Sequence, residues 1–221
     1  MQNNNQIKDQ SGNSYNRVLP LVVGGLTITC EDNMELMSRY PDKHFDLAIV
    51  DPPYGIGISS NPVRQQHQKK DWDSAIPTKE YFNELFRVSK NQIIWGGNYF
   101  DLPPSRGFFI WDKKQPHDFS LAMCEMAWSS IQKPAKMWSL SVLKEQNKIH
   151  PTQKPIQLYE WLLMNNAEEG FKILDTHLGG GSIALACHNL KYELTACEID
   201  KEYFKDTKQR IINHIAQQSL F

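Results

Sequence analysis

The chain has 221 residues, 40% of them hydrophobic and 22% charged, enough to bury one core with loops inserted around it. Its 24 Lys and Arg against 25 Asp and Glu give a formal net charge of -1, which excludes a protein coated in positive charge but leaves room for a local phosphate-binding patch. No apolar run is as long as a bilayer span, no secretory signal opens the chain, and the four scattered cysteines form no CxxC pair, so the expectation is a cytoplasmic protein with reduced thiols and no membrane partner.

Residues 1–17 are rich in Asn, Gln and Ser and read as a polar, disordered arm; residues 18–221 carry the folded domain. Leu26–Cys30 is a strand-like run and Asp32–Arg39 a short helical pattern. Phe45–Val50 is a nearly continuous apolar strand, as in sheets covered on both faces, and Asp51-Pro52-Pro53-Tyr54 stops it. A polar, basic loop from Asn61 to Asp73 precedes a helix over Thr78–Val88, with Thr78 as N-cap. Gln92–Trp95 is a strand ending at a Gly-Gly break, and Phe108–Trp111 and Ala122–Trp128 read as an antiparallel pair at the sheet edge. The segment 129–149 reads as irregular. Pro155–Asn166 is helical, Phe171–Leu174 a strand, Ser182–Asn189 a helix, Tyr192–Cys197 a strand and Lys201–Gln217 a final helix. Strands alternating with helices predict an α/β fold with a doubly wound, mostly parallel sheet. Ligands of such sheets bind beyond the carboxyl ends of the strands, where strand order reverses.

Two strand ends carry the chemistry. The first is Asp51-Pro52-Pro53-Tyr54. An exocyclic amine on an aromatic base is a poor nucleophile, because its lone pair is delocalised into the ring. A carboxylate and a carbonyl that accept its two hydrogens direct that lone pair out of conjugation; Asp51 supplies one, and Pro52, stiffened by Pro53, the other. Tyr54 offers a face on which a flipped-out base stacks. A bare Asp-Pro-Pro is equally the end of any strand in an Asx-Pro turn. The second strand end is Asp175-Thr176-His177-Leu178-Gly179-Gly180-Gly181-Ser182, which opens a helix. Its glycines admit a ligand close to the backbone, and by themselves they serve a dinucleotide, a phosphate or nothing. Glu198, at the end of the next strand, suits a ribose diol and shifts the balance to a nucleoside-like ligand. The seven histidines lack HxxxH or HExxH spacing, so no metal site is predicted.

Together these blocks resemble the S-adenosylmethionine-dependent amino-methyltransferases of DNA, from about Thr27 to about Gln209. With the Asp-Pro-Pro-Tyr block ahead of the glycine loop, the resemblance is to the β-ordered group, a circular permutation of the class I methyltransferase layout with a small recognition insertion. Glu31–Leu36 resembles the family's short acidic block, where Asp32 would meet the cofactor's adenine. His150-Pro151-Thr152-Gln153-Lys154-Pro155 resembles the HPTxKP block near the methionine end, which implies that Lys154 pairs with the cofactor carboxylate and Thr152 bonds nearby. Asp175, His177, Gly179, Gly181 and Ser182 would complete the cofactor site, and Trp111-Asp112-Lys113 resembles a further family block. The family loop usually reads D-P-F-x-G-x-G, so Thr176 and His177 depart from it, and His177 is expected to pack as a structural residue.

The resemblance implies methyl transfer to the N6 amine of adenine in duplex DNA, because Asp51 stands where cytosine-N4 enzymes more often carry Ser. RNA adenine, DNA cytosine N4 and a non-catalytic nucleic-acid-binding partner subunit are the alternatives. Arg64, Lys69, Lys70, Lys113, Lys114, Lys133, Lys136, Lys144 and Lys148 are expected to form a phosphate-binding rim, with Trp72 as a wedge or lid anchor. Recognition falls to the short segment 129–149, which predicts a short site, relaxed specificity, or help from a second copy in a homodimer.

Overall fold

The computed structural model describes residues 6–8, 14–16, 18–57, 75–116, 122–141, 149, 150 and 152–218. In the polar arm, Gln6–Lys8 (β1) and Ser14–Asn16 (β2) pair antiparallel as a separate two-stranded sheet, an order that the Asn/Gln-rich composition does not announce. The main sheet holds Leu21–Val23 (β3), Leu26–Thr29 (β4), Phe45–Val50 (β5), Ser89–Trp95 (β6), Phe108–Asp112 (β7), Cys124–Ser129 (β8), Lys136–Ser139 (β9), Lys172–Asp175 (β10) and Glu193–Cys197 (β11). The helices are Asn33–Ser38 (α1), Lys79–Val88 (α2), Ile156–Asn166 (α3), Ser182–Leu190 (α4) and Lys201–Gln218 (α5).

The strand order is β3-β4-β11-β10-β5-β6-β8-β7-β9. The run β4, β11, β10, β5 and β6 is parallel throughout. The chain leaves β10 through α4 toward β11 on one side and leaves β5 through α2 toward β6 on the other. Strand order therefore reverses between β10 and β5, and the crevice opens at their carboxyl ends. The two motifs stand there side by side.

Alternation along β5 explains its continuous apolar run. Leu47 and Ile49 point into one cluster with α3, α4 and α5, while Ala48 and Val50 point into the other with α1 and α2. Both faces are covered, so each large apolar side chain buried on the strand contributes about 1.5–3 kcal/mol.

The pairing of β7 with β8 is antiparallel, as the sequence predicts, but the pair is not the edge. Strand β9, inside the segment expected to be irregular, adds parallel to β7 and forms the outer edge. Its Lys-Met-Trp-Ser sequence is short and largely exposed, so no apolar alternation marks it. Strand β3 is equally silent in the sequence. It is held to β4 by a tight turn in which Gly24 and Gly25 both adopt positive φ (53° and 81°), the geometry of a twisted two-residue hairpin.

Candidate active site

Asp51 follows the last buried residue of β5 and is half-buried. Tyr54 O–H donates to its Oδ1 at 2.5 Å, and the Lys154 ammonium donates to its Oδ2 at 2.5 Å. Lys154 also lies 3.1 Å from Glu125 Oε2, and Lys113 lies 2.5 Å from Glu125 Oε1. The result is a row of alternating charge, with buried lysines and half-buried carboxylates: Asp51, Lys154, Glu125, Lys113. Burial works against the Lys154 charge, but Asp51 and Glu125 outweigh it and hold the ammonium above the ordinary lysine range. Burial likewise works against the Glu125 carboxylate, and the two lysines bring it down to about 2. Burial, then Asp51, raises the Tyr54 phenol well above its usual range, so it remains a neutral donor.

Pro52 is buried and Pro53 half-buried, which fixes the backbone beyond Asp51. The Tyr54 ring stacks on Tyr99, with centroids 5.1 Å apart and planes 12° from parallel, and meets Phe100 edge-on. Gly96 supports it from below. It adopts φ of +69°, and a Cβ there would overlap the Tyr54 ring, so only glycine lets the turn after β6 approach this closely. Trp95 lies with its ring centroid 5.0 Å from the Lys154 ammonium, and its buried indole N–H has no acceptor among the described residues.

The glycine loop runs from the end of β10 into α4. Asp175 is 2% exposed and accepts the His177 N–H at 3.0 Å. Burial, reinforced by Asp51 and Glu198, pushes its carboxyl up to about 8. His177 Nε2 sits 3.1 Å from the Asn33 amide, and Nδ1 sits 3.0 Å from Thr176 Oγ1 and 3.4 Å from the Tyr81 hydroxyl. Burial lowers this imidazole to about 3, so it stays neutral and ties the loop to α1 and α2 as a satisfied structural group. The carbonyls of Gly179 and Gly180 are held by Thr207 and Arg210 of α5. At Gly181, with φ of +73°, a Cβ would fall 2.5 Å from the Thr207 methyl. Gly181 is thus required by packing inside the protein, whatever ligand lies outside it.

The remaining predicted cofactor residues are engaged as follows. Asp32 Oδ1 caps α1 by accepting from Met34 N and Glu35 N. Glu198 accepts from Gly179 N at 2.8 Å and from Asp200 N at 2.9 Å. Ser182 lies under Arg210, and Thr152 Oγ1 is 3.1 Å from His150 Nδ1. Lys154, expected beside the cofactor carboxylate, bridges Asp51 and Glu125. Pro151 lies outside the described residues. Asp32, Glu198 and Asp51 follow β4, β11 and β5, and Asp175 ends β10, four strands that are neighbours in the sheet. Four acids thus gather at this end of the sheet, and the buried cation beside Asp51, Lys154, is already shared with Glu125. Such a crevice suits a ligand with cationic groups of its own, as the sulfonium and ammonium of S-adenosylmethionine are.

The expected phosphate rim requires correction at three positions. Lys113 is buried against Glu125 and the Trp111 ring, because it leaves β7 beside the Asp51, Lys154 and Glu125 cluster and not on the surface. Lys133 and Lys136 are exposed but lie at the opposite end of the sheet. Strand β8 runs antiparallel, so the chain that follows it emerges at the amino end of β7, where Lys136 pairs with Phe109 and bonds Asn165 near the close of α3. Lys114 does stand exposed at the catalytic end. Arg64, Lys69, Lys70, Trp72, Lys144 and Lys148 fall outside the described residues. Sequence reasoning missed Glu125 and Tyr99. A lone acid within the apolar run Cys124-Glu125-Met126-Ala127-Trp128 was the available signal for the first; Tyr99 carried none.

A doubly wound sheet with a carboxylate and an aromatic ring at one side of its switch point, and a glycine loop at the other, has the fold of class I methyltransferases. The family described as DNA methylase matches residues 110–209. Type II methyltransferase M.HpaI of Haemophilus parainfluenzae is 22% identical, over 83% of this chain and 73% of that protein. Type II methyltransferase M2.DpnII of Streptococcus pneumoniae is 25% identical, over 81% of this chain and 87% of its own. Among solved structures, the M1.HpyAVI–SAM complex superposes with a TM-score of 0.57 at 22% identity, covering 84% of this chain and 99% of that one. The cytosine-N4-specific PvuII DNA methyltransferase superposes with a TM-score of 0.57 at 12% identity, covering 86% and 90%. The sequence similarity to DNA methylases thus lies in residues 110–209, and the solved structures share the fold. Among the described residues, no helix is long and apolar enough to cross a membrane.

Proposed function

We propose that this chain is a DNA methyltransferase that uses S-adenosylmethionine, is site-specific for adenine and methylates the N6 amine of a base flipped out of duplex DNA. The observation that carries the reading is the hydrogen-bonded pair Asp51 and Tyr54 on the strand beside the glycine loop. S-adenosylmethionine, when bound, supplies an electrophilic methyl group on a cationic sulfur. Every other requirement falls on the protein. Asp51 accepts one amine hydrogen, the Pro52 carbonyl accepts the other, and the Tyr54 ring supports the base. Both oxygens of Asp51 have donors in the ligand-free arrangement, so the incoming amine replaces one of them. No side chain forms a covalent bond to the base.

In the cofactor crevice, Glu198 suits the ribose, Asp32 the adenine, and Asp175 the cationic methionine end, with His177, Gly179, Gly181 and Ser182 shaping the loop and Thr152 bonding nearby. DNA approaches the same end of the sheet. Arg64, Lys69 and Lys70 are proposed phosphate contacts because the chain on either side of them, at Gly55 and Ile76, meets beside the catalytic strand end.

The test is transfer of labelled methyl from S-adenosylmethionine to unmethylated duplex DNA, single-stranded DNA and RNA, followed by nucleoside analysis. N6-methyladenine in the duplex digest is the expected product; N4-methylcytosine, or label in RNA alone, overturns the base or the substrate. Asp51→Ala is expected to lower turnover by at least about a hundredfold with cofactor affinity kept within about twofold, read by label transfer and calorimetry. Unimpaired turnover in that variant would remove Asp51 from the reaction.

A further inference from the structure

Glu125 is a half-buried acid with no part in the reaction as described above, and its ionic partners among the described residues are two lysines, one of which holds the carboxylate proposed as catalytic. The inference from it rests on the adenine-amine reading. We infer that Glu125 is a positioning residue for methyl transfer: by drawing the Lys154 ammonium toward β8, it leaves Asp51 enough negative charge to accept and orient the substrate amine.

The geometry gives this row a direction. Lys154 is 2.5 Å from Asp51 and 3.1 Å from Glu125, and Lys113 closes the far end at 2.5 Å from Glu125. Two carboxylates and two ammonium groups cancel, so the cluster brings no net charge to the amine. The amine nitrogen becomes positive as it takes the methyl group, before its proton leaves. A cation left unbalanced beside it opposes that charge strongly in a site shielded from water. Without Glu125, Lys154 binds Asp51 alone, which occupies the amine's acceptor and leaves one excess positive charge in the cluster.

The groups facing Lys154 come from every strand end around it: Asp51 and Tyr54 beyond β5, Glu125 on β8, Lys113 beyond β7 and Asp175 at the end of β10, with the Trp95 ring beneath. Burial works against the Lys154 charge, and Asp51 and Glu125 sustain it. Removing Glu125 therefore lets this ammonium lose its proton at lower pH. Once neutral, it frees Asp51.

The experiment uses the full chain with S-adenosylmethionine and unmethylated duplex DNA, comparing the parent protein, Glu125→Gln and Glu125→Asp. Glu125→Gln is expected to lose about a hundredfold in kcat, and Glu125→Asp, which keeps the charge but withdraws it by one methylene, about tenfold. Cofactor Kd and melting temperature report the fold independently of activity; Kd is expected to stay within about twofold. The Glu125→Gln deficit, taken against the parent at each pH, is expected to narrow by at least about threefold between pH 7 and pH 10, as Lys154 discharges. Parent kcat in Glu125→Gln, or a deficit that does not change with pH, overturns the inference. If Glu125→Gln does not fold, unchanged kcat in Glu125→Asp overturns it equally. Absence of any transfer to DNA by the parent protein is instead a failure of the proposed function.

Discussion

At the scale of single residues, the site is a balance of buried charges. Asp175 is a carboxyl whose burial outweighs the partners it has, and its folded-state pKa of about 8 lies far above the ordinary 3.8. A carboxyl raised in this way favours the folded state while protonated. Its stabilising effect is full below about pH 4 and is lost as pH rises through 8. Asp175→Asn, which keeps the acceptor for His177 N–H, is therefore expected to be more stable than the parent at pH 8, by on the order of 2 kcal/mol, with the gap closing toward pH 4. Thermal melts of the cofactor-free protein at both pH values check this. The same change is expected to weaken cofactor binding, since a cationic ligand is what compensates the charge. Equal melting at both pH values would mean that the carboxylate is already satisfied.

At the scale of elements, the turn after β6 matters as much as the motif it supports. Gly96 holds a left-handed conformation under the Tyr54 ring. Gly96→Ala is expected to cost about 1–2 kcal/mol for the backbone alone. It also displaces the ring and breaks the Tyr54–Asp51 hydrogen bond, which lowers kcat by about tenfold or more. A melt and a turnover assay separate the two effects. The Gly-Gly pair is visible in the sequence, but only as a break between strands. Its partner ring belongs to another loop, and no local pattern connects the two.

At the scale of the whole molecule, the direction of each strand decides which loops can meet DNA. Lys133 and Lys136 lie at the end of the sheet away from Asp51. The double variant Lys133→Glu, Lys136→Glu is expected to leave kcat/KM for DNA within about twofold of the parent. Replacing Arg64, Lys69 and Lys70 together by Ala is expected to raise the KM for DNA and to flatten the salt dependence of binding, by about 0.9 in log–log slope for every phosphate that is no longer neutralised. Binding titrations across salt concentrations measure both. A strong effect of the first variant with none of the second would place the DNA elsewhere.

The sequence by itself determined the α/β class, the strands and helices of the core, and the two strand ends where chemistry is done. These are local matters: apolar period, proline and glycine punctuation, and a short block whose residue types suit an aromatic amine. It did not reveal β3 or β9, because a short or exposed strand has no periodic signal. It also placed Lys113, Lys133 and Lys136 on a phosphate rim that the strand directions do not give them, and it did not reveal that Lys154 reaches Asp51 and Glu125. Whether a lysine meets phosphate, solvent or a buried carboxylate depends on which strand runs beside it and in which direction. Only the tertiary structure brought Lys154 of the segment before α3, Glu125 of β8 and Lys113 beyond β7 onto Asp51. Burial then made those charges answer to one another, because in a site closed to water an ion is settled by the partners the fold supplies.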